Sequence, residues 1–195
     1  MKLVDHFLIS MPSMADTSFK DTVIYVCEHN ESGAMGVIIN QATDITVSDL
    51  FERIDLKVPN GLTQNGEDFN KMPVLNGGPV QHERGFVLHE PPTNYSASIV
   101  VGGITATRAL TTSRDVLEAV SEGTGPNCML IALGYSGWAA GQLEAEVSKN
   151  AWLTIPADTG AATVLWNTPL AERKNAAIRL LGIDPNRLIN QVGHA

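Results

Sequence analysis

One stretch constrains the fold more than any other: Gly134-Tyr135-Ser136-Gly137-Trp138-Ala139-Ala140-Gly141-Gln142-Leu143-Glu144-Ala145-Glu146. It follows an apolar, strand-like run and opens a helix, and it does so through three glycines and an indole. Glycine at that density beside one large aromatic marks a turn in which backbone passes close to another surface. A strand must therefore deliver its end to a tightly packed joint, with Trp138 plugging the joint or walling a cleft.

Strand-like runs rich in β-branched and aromatic residues cover Phe7 to Ser10, Thr22 to Glu28 and Met35 to Asn40. The second and third are separated by a polar connection around Asn30 to Gly33, which reads as a hairpin with a loop somewhat longer than two residues. A short helix follows, capped by Thr46 with Asp49 three residues on, its buried face formed by Val47, Leu50, Phe51 and Ile54. The stretch from Pro59 to Lys71, with Asn60-Gly61 and Asn65-Gly66, reads as a mobile surface loop. Further strands are expected at Pro73 to Asn76, Gly85 to His89, Ser98 to Val101 and Asn127 to Leu133.

Helices are expected from Ser113 to Glu122, closing at Gly123, and from Gly141 to Lys149, with Leu143 and Val147 on the buried side. Thr168-Pro169 reads as an N-cap with proline at the first helical position, Gly182 ends that helix, and Asp184-Pro185 begins a last turn. Arg173, Lys174 and Arg179 on it read as a solvated face. Strands precede most helices instead of alternating with them, which favours an α+β arrangement over a doubly wound parallel sheet. At 195 residues and 44% hydrophobic, the whole chain, 1–195, is expected to form one domain.

Thirteen basic against twenty-one acidic residues give a net charge of -8, which opposes approach to nucleic-acid phosphates. No basic segment leads into an apolar run at the N-terminus, and no apolar stretch approaches the roughly 20 residues that cross a bilayer. A cytoplasmic protein that binds neither membrane nor DNA directly is the expectation. Cys27 and Cys128 lie in apolar, strand-like surroundings, so free thiols are expected rather than a disulfide.

Cys27 and His29 are two apart on an expected strand, hence on one face, which invites a thiolate–imidazole reading. Val23 and Tyr25 share that face, and burial would make the thiol inert. His6, His82, His89 and His194 show no metal-ligand spacing, so no metal site is expected. Gly134-Tyr135-Ser136-Gly137 lacks the nucleophile-elbow spacing, and Asn76-Gly77-Gly78-Pro79 and Gly102-Gly103 are too short to cradle a dinucleotide or phosphate, so no cofactor is expected. Glu144 and Glu146 open a helix, where the dipole favours carboxylates, and they point to different faces.

The opening motif has companions in order along the chain: Leu8-Ile9-Ser10-Met11-Pro12-Ser13-Met14-Ala15-Asp16, Val23 to Asn30, Gly33 to Asn40, Leu75-Asn76-Gly77-Gly78-Pro79-Val80, Arg84 to His89, Asn150-Ala151-Trp152-Leu153, and a C-terminal run from Thr168-Pro169 to Gly193-His194-Ala195. Together they resemble the bacterial YqgE/AlgH family across nearly the whole chain. Two departures stand out: Gln41-Ala42 replaces the family's basic residue and proline, and Ala139 stands where glycine is common. The resemblance implies a bifurcated, partly barrel-like sheet surrounded by helices. It implies no settled activity, although part of the family carries a transcriptional-regulator label connected with alginate production.

The function expected is a non-enzymatic protein that binds a protein or small-molecule partner, with any regulation of transcription indirect. The alternative is a thiol-dependent enzyme or hydrolase using Cys27 and His29. Three glycine-marked segments, His29 to Gly36, Asn76 to Val80 and Gly134 to Glu146, are expected to meet and line one cleft. The candidate binding residues are His29, Asn40, Asn76, Gly77, Gly78, Trp138 and Gln142, with no catalytic residue assigned.

Overall fold

The structure, a computed structural model, describes residues 1–14, 16–102 and 106–185. In chain order the strands are β1 (His6–Ser10), β2 (Val23–Asn30), β3 (Gly33–Ile38), β4 (Ala42–Thr46), β5 (Thr63–Gln64), β6 (Glu67–Asp68), β7 (Pro73–Asn76), β8 (Val80–Glu90), β9 (Ser98–Val101), β10 (Arg108–Thr111), β11 (Cys128–Ala139) and β12 (Trp152–Pro156). The helices are α1 (Val47–Arg53), α2 (Asp115–Ser121), α3 (Gln142–Ser148), α4 (Ala161–Trp166) and α5 (Arg173–Arg179).

The largest sheet runs β12-β1-β2-β3-β11-β8-β10-β9 and forks at β11. One edge of β11 pairs along its length with β8, while the other takes β7 in parallel at Ala132 and Leu133 and β3 antiparallel from Ser136 to Ala139. β4 extends the β7 branch. The sheet curls so that β9 comes back to β2, and the curl encloses an apolar core of Phe7, Tyr25, Phe86, Leu88, Leu110 and Trp166 among others. Helices α1 and α2 cover a second core beside the β7 branch, and α3 covers a third on the outer face of β2 and β3. This is the α+β, bifurcated and partly barrel-like architecture that the resemblance implies.

Strand β2 is buried on both faces, Tyr25 and Cys27 inward and Ile24 and Val26 outward, which is why its sequence is a near-continuous apolar run rather than an alternating one. Helix α1 starts as its sequence dictates. The Thr46 hydroxyl accepts from the Asp49 N–H at 3.2 Å while the Asp49 carboxylate accepts from the Thr46 N–H at 2.8 Å.

Several expectations are corrected. The β2–β3 hairpin is tighter than expected, since Asn30 pairs with Gly33 and only Glu31 and Ser32 lie between them. Gly134 to Ala139 is not a turn but the second half of β11: Ser136 and Trp138 are buried and Gly137 and Ala139 exposed, the period of a strand. Gly134 bends that strand, with the pairing to β8 shifting between Leu133 and Tyr135. The turn comes later, at Ala140 and Gly141. Pro59 to Lys71 is anchored instead of looping freely, because β5 and β6 pair, Phe69 is buried, and Gln64 binds both main-chain groups of Met129.

Thr168 does not cap a helix, since its hydroxyl donates to the Thr163 carbonyl. Arg173 is buried, not solvated. Strands β4, β10 and β12 and helix α4 were not foreseen from the residue pattern. The last turn expected after Asp184-Pro185 falls on residues 186–195, and Gly103 lies in 103–105, all outside the described residues.

Candidate functional site

The signature segments meet along the second half of β11. Gly33 pairs with Ala139, and a Cβ on Gly33, whose φ is +139°, would stand 2.2 Å from the Trp138 carbonyl oxygen. On the other side a Cβ on Gly78, at φ +147°, would stand 2.3 Å from the Tyr135 carbonyl carbon. Only glycine fits these crossings. Gly77 belongs to the same joint, its carbonyl accepting from the Ile38 N–H at 2.9 Å and the Ser136 hydroxyl at 3.2 Å.

Around α3 the side chains form a closed set. Glu146 accepts both indole N–H groups, from Trp138 at 2.9 Å and Trp152 at 2.7 Å, while its other oxygen accepts from the Gln142 amide at 2.9 Å. The two indoles meet edge-on with centroids 6.0 Å apart, and Phe19 stands edge-on to Trp152 at 5.6 Å. Gln142 also accepts from the Ala139 N–H at 3.0 Å, closing the turn into the helix. His29 completes the set. Its Nδ1 accepts from the Leu3 N–H at 3.1 Å, so its protonated Nε2 donates to Glu144 at 2.9 Å. The Glu144 carboxyl sits below the usual carboxylate range, chiefly through its own backbone N–H, with His29 adding to the lowering and desolvation opposing it.

The other candidates hold the neighbouring joint. Asn40 accepts from the Val23 N–H at 2.8 Å and donates to the Asp21 carbonyl at 2.9 Å, fixing the entry to β2. Asn76 donates to Gln41 and accepts from the Gly78 N–H, both at 3.3 Å. Gln41, one of the two departures from the family pattern, thus acquires a partner that sequence reasoning did not supply. His29, Trp138 and Gln142 gather around α3, whereas Asn76, Gly77 and Gly78 reach β11 from the β7 branch, so the polar side chains do not converge on a single cleft.

Cys27 and His29 do not meet. The β2–β3 register shifts between Val26 and Glu28, and this bulge breaks the alternation of the strand. Cys27 therefore faces the inner core, its thiol donating to the Tyr25 carbonyl, while His29 faces α3. Burial pushes the Cys27 thiol far up, so it stays protonated. The sequence carried no visible signal of the bulge.

Beside the joint lies an open groove of about 410 Å³, bordered by Glu28, Asn30, Ser32, Met35, Val80 and Tyr135. Gly137 and Trp138 of the opening motif line it as well, so all three glycine-marked segments border this one groove, although sequence reasoning did not single out Tyr135. Its ring packs on Phe86 with centroids 5.2 Å apart. Among the described residues no helix is long and apolar enough to cross a membrane.

Known proteins supply the remaining context. The profile of the family described as AlgH-like matches residues 7–186. A UPF0301 protein of Burkholderia vietnamiensis is 50% identical over 198 residues, covering 100% of this chain and 96% of that one. Another, of Bordetella petrii, is 51% identical over 191 residues, covering 98% and 89%. The solution structure of the AlgH protein from Pseudomonas aeruginosa superposes with a TM-score of 0.77 at 44% identity, covering 100% of this chain and 97% of that one. A crystal structure of a Corynebacterium diphtheriae protein, 20% identical, shares the fold with a TM-score of 0.58 over 89% and 92%. With the family profile spanning nearly all of the sequence and relatives at half identity over their full length, the chain belongs to the AlgH-like family.

Proposed function

We propose that the protein acts in the cytoplasm as a binding protein without catalytic activity of its own, and that the groove beside the β2–β3 hairpin is where a protein or small-molecule partner is held. One observation carries this reading: the signature glycines build a rigid backbone joint whose outer side is an open, polar-rimmed groove rather than a packed core. Glycines kept for close approach fix the joint's shape, and a fixed shape is what a recognition surface needs.

In this reading Trp138 lines the groove, His29 and Gln142 brace its wall through α3, and Asn40, Asn76, Gly77 and Gly78 brace the joint behind it. Any influence on transcription passes through the partner, since a net charge of -8 disfavours DNA. The test is affinity capture of the tagged protein from its own cytosol, with mass spectrometry of proteins and small molecules. Tyr135→Ala and Asn30→Ala, each with an unchanged Tm, should lose the partner that the unaltered protein retains. Undiminished capture by both would remove the groove from consideration. Turnover of a hydrolase substrate that is lost in Cys27→Ser and His29→Ala would overturn the non-enzymatic reading itself.

A further inference from the structure

A second site lies on the opposite half of β11, where the sheet forks. Along that edge β7 reaches only Ala132 and Leu133. Gln64 supplies the pairing that a strand would otherwise give Met129, its amide donating to the carbonyl at 3.0 Å and accepting from the N–H at 2.8 Å. Between these two attachments the edge is open, and a cavity of about 70 Å³ fills the gap, walled by Phe69, Leu75, Ile131, Trp166 and Leu170.

The one cationic side chain in that lining is Arg173, 3% exposed. Its Nε donates to the Thr168 carbonyl at 3.2 Å and its Nη1 to the Ile39 carbonyl. Among the described residues no carboxylate lies within 4.0 Å of it, while Arg108, Arg114, Lys71 and Lys174 all have one. Carbonyl dipoles orient a guanidinium but do not neutralise it, and a buried cation without a counter-ion is costly. Burial accordingly lowers its pKa to about 10.

We propose that this cavity binds a small organic monocarboxylate, the carboxylate against the free N–H groups of Arg173 and a short apolar tail against Phe69, Leu75 and Ile131. A guanidinium matches a carboxylate in shape as well as charge. The volume is about half that of a cavity that holds benzene and corresponds to roughly two waters, enough for a carboxylate of about two carbons. Glu67, exposed and also bordering the cavity, disfavours a dianion such as phosphate.

The experiment is a thermal melt of the intact protein in acetate, acetamide, chloride or inorganic phosphate at matched ionic strength, each rising to about 50 mM. Acetate should raise Tm saturably by roughly 3–6 °C, the increment for a ligand near ten times its Kd. Acetamide and chloride should not, and phosphate should do so far less. Arg173→Met should abolish the rise. Leu170→Trp, which keeps the cation and fills the cavity, should abolish it too and decides the matter if Arg173→Met does not fold. An equal rise with acetamide, chloride or phosphate, a rise that survives Leu170→Trp, or no rise with acetate would overturn the proposal.

Discussion

Arg108 and Arg173 are buried to nearly the same degree, 6% and 3% exposed, and their surroundings are opposites. Arg108 sits in a completed network. Its Nη2 is 2.9 Å from the Asp5 carboxylate, its Nε donates to the Tyr25 hydroxyl at 2.8 Å, and Glu90 lies 3.9 Å away. Tyr25 in turn donates to Asp5 at 2.6 Å. Burial by itself would lower the Arg108 pKa, but Tyr25 and Asp5 outweigh it and the net direction is up. These bonds tie β10 to β2 and to the chain entering β1, and so pin the curl of the sheet. Arg173 has carbonyls only, and its pKa falls. A buried cation whose charge is answered within the fold belongs to the architecture; one whose charge is not answered points outward to something the fold awaits.

The largest expected effect breaks this comparison if it fails. Arg108→Met leaves Asp5 and Tyr25 facing each other without their cation, and stripping one member from a buried charged network costs about 3–5 kcal/mol. Urea denaturation should report a loss in that range. A loss below about 1 kcal/mol would mean that the network is ornamental and that the two arginines do not differ in kind.

Alkaline pH probes the same cluster without mutation. Burial raises the Cys27 thiol and the Tyr25 hydroxyl above their ordinary values of 9.0 and 10.0. In the unfolded chain both lose protons at those values while the folded chain still holds them. Stability from this source is therefore full below pH 9 and lost as pH rises, by up to about 1.4 kcal/mol per pH unit for each group. Cys27→Ala should delay the onset of the fall in Tm from pH 9 to pH 10. An unchanged onset would mean that the Cys27 thiol does not set it.

Arg173→Met should cost far less than Arg108→Met, about 1 kcal/mol. Two carbonyls lose donors, which destabilises, but an unneutralised charge leaves the core, which offsets it. A loss as large as that of Arg108→Met would sharpen the comparison in the other direction and make Arg173 a clamp between α5 and Ile39.

What could be read from the sequence follows the range of the interactions. The α1 capping box, the Gly123 helix end with φ +77°, and strands β7 and β9 rest on neighbours within a few residues, and their patterns are local. β10 has no local signature because Arg108 opens it and only Ala109 and Leu110 are apolar, and the partner that makes an arginine tolerable there, Tyr25, is 83 residues away. The α3 set is similar. The glycines and Trp138 announced a joint, but nothing local says that Glu144 meets His29 across 115 residues. The pairing of Cys27 with His29 failed for a different reason: alternation assumes an unbroken strand, and one extra residue at a bulge reverses every face beyond it. The fork at β11 requires three strands, distant in sequence, to compete for two edges of one.

The smallest effect lies one residue beyond Arg173. Lys174 pairs with Asp21 at 3.0 Å, and the hydrogen bond from Lys174 holds the Asp21 carboxyl below its usual value, but Asp21 is 73% exposed. Water and salt screen such a pair, and holding a long lysine side chain in one geometry costs entropy. Lys174→Ala should therefore change stability by less than about 0.5 kcal/mol, with even that difference shrinking as salt rises from about 0.05 to 0.5 M. Denaturation midpoints at the two salt concentrations measure it. A salt-insensitive loss above about 1 kcal/mol would show that the start of α5 is held by its surface pair. Arg173 would then owe its burial to an anchored helix, and the contrast with Arg108 would reduce to the placement of one lysine.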